Sequence, residues 1–562
     1  MPECLDDAGI IGGYLQDASR LVGHAERLYR PASEAEVVAL MRRLSAEQVP
    51  VTVVARQTST TGSSVPQGGA ILSMEKLQQL LWLDASRARA CAQGGILLGD
   101  FQRALEAQGW LYPPDPTSRN ESTLGASVAC NASGARTFKY GPTRPYVTRL
   151  RVVLADGLGL EVRRGEIFAD DSGHITLITP EGETRQLPCP RYEMPKVKHA
   201  AGYHAGVGLD LIDLFIGSEG TLGVIIEVEV RLLPLPAKVV SVLACWPDEK
   251  AAFSFVRAAR TARQSGGLDP RCLEWFDAQA LELLRRRYPS LGLPSQAGAA
   301  VFFEQECSDE TEAELLEQWY SLLSERGALV DEEQGVMVAD TEARQQLLYE
   351  LRHAVPAGVN EKAAHNRMPK LGTDLAVPDE VLEEMMQAYA EGIAHVPATL
   401  GTERLLRLMA QLEQVEIPEL RTLADQQEAL NRLRAHVVAA RGTWDVPQEL
   451  EAAVLVLWKQ LGLPTTFESA TFGHIGNNHV HVNLLPTSAA GLVVAKTLYD
   501  VLTERAIRLG GTVSGEHGIG KNKRGALKAL LGADAVEQMR QLKRVLDPLG
   551  LLGRGNLFEL TA

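Results

Sequence analysis

The sequence predicts a mixed helix-and-sheet protein in two parts, and three observations carry that expectation. Strand-like and helix-periodic runs alternate through the N-terminal part. Small-residue, glycine-rich stretches interrupt them at Thr123–Gly134 and Gly217–Gly223. The alternating run Val224–Leu233 then ends at Pro234 and Pro236, which mark the boundary.

The elements follow in order. Ser33 and Glu36 stand at capping-box spacing before Val37, Val38, Leu40, Met41 and Leu44, which starts a helix. Val49–Ala55 reads as a buried strand leading into the polar loop Arg56-Gln57-Thr58-Ser59-Thr60-Thr61-Gly62, and Ala70–Ser73 as a second strand. Gly99–Gln108 reads as a helix ended by Gly109. Leu150–Ala155 and Leu158–Arg163 flank Asp156-Gly157, a hairpin signal. Beyond the prolines, Val239–Cys245, Ala299–Gln305 and Thr373–Val377 read as strands, and Glu249–Gln264 and Thr311–Arg326 as helices. The stretch 402–461, between Pro397 and Pro464, is helical in pattern and reads as an inserted hairpin or bundle.

Composition narrows the function. Hydrophobic residues make up 45% of 562, enough for more than one core, and the net charge is −15. An acidic chain makes a poor binder of nucleic-acid phosphates, which need a basic face. Seven cysteines, Cys4, Cys91, Cys130, Cys189, Cys245, Cys272 and Cys307, include no CxxC pair, so neither an iron–sulfur cluster nor a disulfide framework is expected. The first residues carry Glu3, Asp6 and Asp7 and no basic stretch, unlike a signal peptide, and there is no apolar run of membrane-spanning length. The expected location is cytoplasmic, with peripheral attachment to the inner membrane face left open.

Three loops could cradle a ligand. In the first, Arg56, Thr58, Ser59, Thr60, Thr61 and Gly62 follow a strand. Consecutive amides there could nest an anion, or the loop could be a plain polar turn. The second runs through Pro114, Asp115, Thr123, Gly125, Ala126, Ala129, Ser133 and Gly134 to Tyr140 and Gly141. The third holds Glu219, Gly220, Thr221, Gly223 and Ile225. Small side chains let backbone approach a flat ligand, and they equally suit a tightly packed glycine corner. In order and spacing the three loops resemble the FAD-binding domain of the vanillyl-alcohol oxidase (PCMH-type) superfamily over about residues 25–236. The resemblance implies an α+β fold of two subdomains gripping FAD, with the residues just named as cofactor contacts. It departs at the glycine-poor RQTSTTG loop and at Ala126, where the family has a second glycine. Neither a histidine in the loop nor a nearby cysteine matches an attachment site, so FAD is expected to be non-covalent.

The C-terminal part carries Phe472-Gly473-His474-Ile475-Gly476-Asn477-Asn478-His479-Val480-His481-Val482-Asn483 and then Gly515-Glu516-His517-Gly518-Ile519-Gly520-Lys521. His479 and His481 share one face of a strand, and a turn at 476–478 can bring His474 back beside His481. Two imidazoles and a carboxylate suit a divalent transition metal, although histidines satisfied on a polar sheet would look the same. The region resembles the C-terminal domain of FAD-linked oxidases, the D-lactate dehydrogenase, D-2-hydroxyglutarate dehydrogenase and glycolate oxidase flavin-subunit family. Its motifs are GHxGDGNxHxN and EHGxG. The resemblance implies an α+β, ferredoxin-like sheet carrying the helical insertion. It makes His474, His481 and Glu516 ligands of Zn, Mn or Fe. It makes His517 the base, with Asn483 beside the substrate. The family's DGN is here Asn477-Asn478-His479, which leaves His479 as a second-layer partner, an extra ligand or a substrate contact. Arg352 resembles the arginine that pairs with the substrate carboxylate; a surface ion pair is the alternative. Thr373 stands where some diacid-specific relatives have lysine, and the terminal Gly553-Arg554-Gly555-Asn556 replaces NPGK.

The domains expected are an N-terminal segment 1–24, a FAD-binding domain 25–236 and a substrate- and metal-binding domain 237–562, with 540–562 returning towards FAD. The expected function is FAD-dependent oxidation of a small D-2-hydroxy acid to the 2-oxo acid. The alternatives are a non-redox enzyme of the alkylglycerone-phosphate synthase type and a flavin-holding subunit of a larger complex. Expected partners are the hydroxy acid, a second copy in a homodimer, and a quinone, cytochrome, electron-transfer flavoprotein or iron–sulfur subunit as electron acceptor.

Overall fold

A computed structural model describes all residues except 1, 180–181, 266, 340, 416, 418–419, 421, 440–447 and 561–562. The chain divides into one unit of Met1–Ala237 with Thr512–Ala562, and a second of Lys238–Gly511.

In the first unit, Ser33 accepts a hydrogen bond from the Glu36 amide at 3.3 Å, and Glu36 accepts one from the Ala32 amide at 2.8 Å. This reciprocal cap starts the helix Glu34–Ala46. The helix buries Val37, Leu40, Met41 and Leu44 against Val51, Ala70 and Leu72. Each such side chain contributes roughly 1.5–3 kcal/mol. The strands beneath it form a four-stranded sheet in the order Cys4–Leu5, Arg27–Tyr29, Ala70–Ser73, Val51–Val54. The last three are parallel, and the loop 56–62 leaves the end of Val51–Val54. That strand would be an open edge, but Val51 donates to the Leu551 carbonyl at 2.8 Å and accepts from Gly553 at 3.0 Å. The C-terminal segment thereby covers the edge.

A second sheet is antiparallel, in the order Leu80–Asp84, Arg89–Gln93, Val224–Arg231, Val147–Val153, Gly159–Arg163. The expected hairpin is there, turning at Gly157 with φ of 80°.

The second unit is built on an antiparallel sheet. Its order is Val336–Ala339, Lys238–Trp246, Ala299–Cys307, Pro270–Asp277, Ser469–His474, His479–Leu484, Leu371–Gly372, and Leu375–Ala376 also pairs with His479–Leu484. Phe255 of the helix Glu249–Gln264 packs with Trp246, Phe303 and Trp319, the ring centroids of neighbouring pairs lying 4.4–6.0 Å apart. The single strand expected over 373–377 is instead two short ones flanking Thr373 and Asp374. The Thr373 hydroxyl accepts from the Val482 amide at 3.0 Å, replacing a ladder bond with a side-chain bond. Most of the described residues of the stretch 402–461 are helical, in Val396–Leu412, Leu423–Ala439 and Gln448–Gln460. The first of these packs on Ala489–Arg508. Residues 440–447 of that stretch lie outside the described residues.

Candidate active site

The histidine face of the second unit comes from a tight connection between two strands. A 3₁₀ turn at Ile475–Asn477 and Asn478 at φ of 55° reverse the chain, a conformation asparagine tolerates better than most residues. The register sets His474 opposite His479 and Phe472 opposite His481, so all three imidazoles lie on one face. The expected neighbour of His474 was His481; the cross-strand partner is His479, and His481 lies diagonal to it. The ring centroids are 5.5 Å apart for His474–His479, 5.7 Å for His474–His481 and 4.6 Å for His479–His481.

Each ring is oriented from behind. Nδ1 of His474 stands 2.7 Å from Oε1 of Glu274, Nε2 of His479 stands 2.9 Å from Oδ1 of Asp374, and Nδ1 of His481 stands 2.9 Å from the Thr373 carbonyl. An ionised carboxylate or a carbonyl only accepts, so these ring nitrogens carry the protons. The lone pair of each neutral ring is then on the opposite nitrogen: Nε2 of His474 and His481, Nδ1 of His479. Carboxylates and carbonyls behind imidazoles are the arrangement that holds metal ligands in place, and the donor set fits a divalent transition metal.

Arg352, on the helix Glu342–His365, places Nε 3.4 Å from Oε2 of Glu274, so one buried carboxylate braces both the arginine and His474. Asn483 is 2% exposed and donates to the carbonyls of Ala470 at 3.3 Å and His481 at 3.2 Å. Its amide ties the two histidine strands together.

In the first unit, the loop after Val51–Val54 turns on Ser59. The Ser59 hydroxyl accepts from the amides of Thr61 at 3.2 Å and Ser63 at 3.3 Å. Among the described residues, the amides of Thr58, Ser59, Thr60 and Gly62 donate to no protein acceptor. Arg56 and Thr60 are exposed, whereas Thr61 and Gly62 are buried. Behind the loop, the Lys521 ammonium donates to the Gly62 carbonyl at 3.0 Å and to Oδ1 of Asn556 at 2.6 Å. Burial pulls that ammonium down to about 8. Unsatisfied amides with a buried cation behind them suit a pyrophosphate.

The second and third loops are laced to each other. Thr123 caps the helix Leu124–Ala129, accepting from the Ala126 amide at 3.2 Å, and the Ala129 carbonyl accepts from the Glu219 amide at 2.8 Å. Asp115 accepts from the Arg136 amide at 3.0 Å, and Pro114 accepts from Gln102 at 2.7 Å. The Tyr140 carbonyl accepts from the Tyr146 hydroxyl at 2.8 Å, just before Gly141 at φ of 77°. The Thr221 hydroxyl is 2.6 Å from both the Ser218 carbonyl and the Tyr203 hydroxyl. Gly223 is buried just before the strand Val224–Arg231, and Ile225 is buried within it. Two glycines face protein: a Cβ on Gly125 would stand 2.7 Å from the Gly94 carbonyl, and one on Gly134 would stand 2.2 Å from that of Asp115. At Gly220 a Cβ would meet nothing within 4 Å, and the buried Ser122 hydroxyl has no protein partner. The amide nest, the open side of Gly220 and the orphaned Ser122 hydroxyl fit FAD.

Glu516 and His517 also belong to the first unit. Glu516 takes a bond from Lys198 at 2.8 Å and one from Ser133 at 3.5 Å, and lies 3.7 Å from Nε2 of His517. The His517 carbonyl accepts from the Thr61 hydroxyl at 3.3 Å. Beyond Gly518, the amides of Ile519 and Gly520 each donate to Glu219 at 2.7 Å. Burial pushes the Glu219 carboxyl up to about 7 despite those two bonds. The EHGIG segment is thus pinned to the first and third loops.

Four residues with evident work were missed: Glu274, Asp374, Lys198 and Lys521. Lys198 opens Lys198-His199-Ala200-Ala201-Gly202-Tyr203-His204, whose lysine and two histidines are a readable signal. Burial lowers both of those imidazoles to about 4. Glu274 and Asp374 stand in ordinary strand and loop sequence with no local sign of a role.

Comparison with known proteins agrees with this architecture. A family model described as "FAD binding domain" matches residues 25–163, and one described as "FAD linked oxidases, C-terminal domain" matches 235–398 and 424–557. The chain is 27% identical to glycolate oxidase subunit GlcD of Bacillus subtilis, over 95% of this chain and 88% of that protein. It is 25% identical to D-lactate dehydrogenase of Anaerostipes hadrus, over 97% and 92%. It is 27% identical to D-2-hydroxyglutarate dehydrogenase of Xanthomonas citri, over 94% and 88%. Among solved structures, an alkyldihydroxyacetonephosphate synthase shares the fold with a TM-score of 0.59 at 15% identity, over 98% of this chain and 81% of that one. With a laced three-loop cradle in one unit and a histidine face in the other, and with both family models matched, the chain belongs to the FAD-linked oxidases.

Proposed function

We propose that this FAD-linked oxidoreductase oxidises a D-2-hydroxy acid of the D-lactate kind to its 2-oxo acid, using non-covalent FAD and a divalent transition metal. The observation that carries the reading is the His474–His479–His481 face braced by Glu274 and Asp374. The names of the relatives add support: glycolate, D-lactate and D-2-hydroxyglutarate are all 2-hydroxy acids.

FAD would be held by the amides of Thr58, Ser59, Thr60 and Gly62 and by the loops around Thr123 and Glu219, and would supply a two-electron acceptor. The family resemblance would make His474, His481 and Glu516 the ligands of Zn, Mn or Fe, which would supply a Lewis acid to lower the pKa of the substrate hydroxyl. Arg352 pairs with the substrate carboxylate, its planar fork held in orientation by Glu274. His517 accepts the hydroxyl proton on a ring nitrogen. Asn483 keeps the histidine strands in register. Thr373, buried with its hydroxyl bonded to the Val482 amide, offers no cation for a second carboxylate, which favours a monocarboxylate. Electrons leave to a quinone, a cytochrome, an electron-transfer flavoprotein or an iron–sulfur subunit.

The test is an anaerobic panel of D- and L-2-hydroxy acids scored by loss of the oxidised flavin's visible absorbance. D-lactate or a close analogue should bleach the flavin fully, and its L-enantiomer should not. Flavin that stays oxidised with every member overturns the reading.

A further inference from the structure

We infer that His479 is itself a metal ligand, through Nδ1, so that one sheet presents three imidazole nitrogens to the divalent ion. The inference rests on the metal reading above and concerns the make-up of the site.

Three observations support it. The first is placement. His474 and His479 are directly paired across the strands, and His479 and His481 are two apart on one strand, so the fold puts all three rings on one face. A ligating nitrogen from each lies within 4.8 Å of the others, a spacing that small ring rotations can close onto one ion.

The second is tautomer. The Asp374 carboxylate at Nε2 of His479 fixes the proton there and puts the lone pair on Nδ1. His474 and His481 are set the opposite way, with Nε2 carrying the lone pair. The two carriers of His479's orientation, ring and carboxylate, are both 0% exposed. A histidine there for packing alone would not call for a fully buried carboxylate at its back.

The third is charge. The three neutral imidazoles bring no charge of their own to the ion. Glu274 and Asp374, each one ring away, supply two negative charges, and a buried carboxylate is in turn stabilised by the cation beyond its histidine. At this position the family motif GHxGDGNxHxN has asparagine. The exchange of an amide for an imidazole therefore changes the donor set. A third nitrogen should tighten binding most for zinc and copper, and least for manganese.

The experiment uses the full-length protein, stripped of metal by a chelator and reloaded. Cu(II) serves as the probe for pulsed electron paramagnetic resonance, which counts coupled imidazoles through their remote nitrogens. Zn(II) affinity is measured by competition with a chromophoric chelator. The wild type should show three imidazoles, and the same count in His517→Ala assigns them to the sheet. His479→Asn should show two imidazoles and lose on the order of 100-fold in Zn(II) affinity, with FAD content and melting temperature held. Asp374→Asn should keep three and lose ~10–100-fold, the usual effect of removing a partner behind a ligand. Two imidazoles in the wild type, or an unchanged count and affinity in His479→Asn, overturns the inference and leaves the hydroxy-acid chemistry standing. A wild type that takes up neither ion overturns the metal reading with it. If His479→Asn fails to fold, the wild-type count still decides.

Discussion

The carboxylate of Glu274 lies 2.7 Å from Nδ1 of His474, and both side chains are 5% exposed. This buried pair fixes one imidazole of the candidate metal face, and its other oxygen meets Arg352. In the proposed function, the residues for substrate and for metal therefore share one anchor. Glu274→Gln should weaken Zn(II) binding by ~10–100-fold. Leaving Arg352 with a lost buried partner should also cost about 3 kcal/mol of stability. Chelator competition and denaturant unfolding check the two effects.

Arg352 should act on the substrate's carboxylate and not on the flavin. Arg352→Lys keeps the charge but loses the bidentate fork. It should lower the second-order rate of flavin reduction by about 100-fold, equivalent to ~2.7 kcal/mol, with FAD content unchanged. Anaerobic stopped-flow over a range of hydroxy-acid concentrations measures this. An equal loss of FAD would reassign the residue to structure.

Glu219 should make stability depend on pH. Burial raises its carboxyl from 4.5 to about 7. The folded state therefore holds this proton where the unfolded chain has released it. The stabilisation is fully present below the ordinary value near 4.5 and is lost as pH rises through about 7. A difference of this size is worth about 3 kcal/mol. Urea unfolding at pH 5 and pH 8 should show this loss in the wild type, and Glu219→Gln should lack that component. Parallel curves for the two proteins would exclude it.

Gly134 is required by a close approach of backbone. Its added Cβ would stand 2.2 Å from the Asp115 carbonyl. Gly134→Ala should cost about 1–3 kcal/mol and reduce FAD content by pushing the segments around Asp115 and Gly134 apart. A melting curve and the flavin-to-protein absorbance ratio test it.

Much of the site is written locally. Strand periodicity puts His479 and His481 on one face, Asp156-Gly157 marks its hairpin, and Ser33 with Glu36 marks a helix start. These depend on neighbours a few residues apart, where the geometry of one turn or strand suffices. The three small-residue loops and the EHGIG motif are legible for the same reason.

What stands behind those residues was decided only by the tertiary structure. Glu274 is 200 residues from His474 in sequence, and Asp374 is 105 from His479. Each meets its ring because strand order and register bring Pro270–Asp277 beside Ser469–His474, and Leu375–Ala376 beside His479–Leu484. Likewise Thr512–Ala562 joins the first unit because Val51 leaves an open sheet edge that Leu551 and Gly553 satisfy. The sequence by itself determined the candidate ligand residues and the loops, since side-chain chemistry and strand periodicity are local. The partners that fix tautomer, charge and orientation were chosen by register, which is a property of the whole sheet.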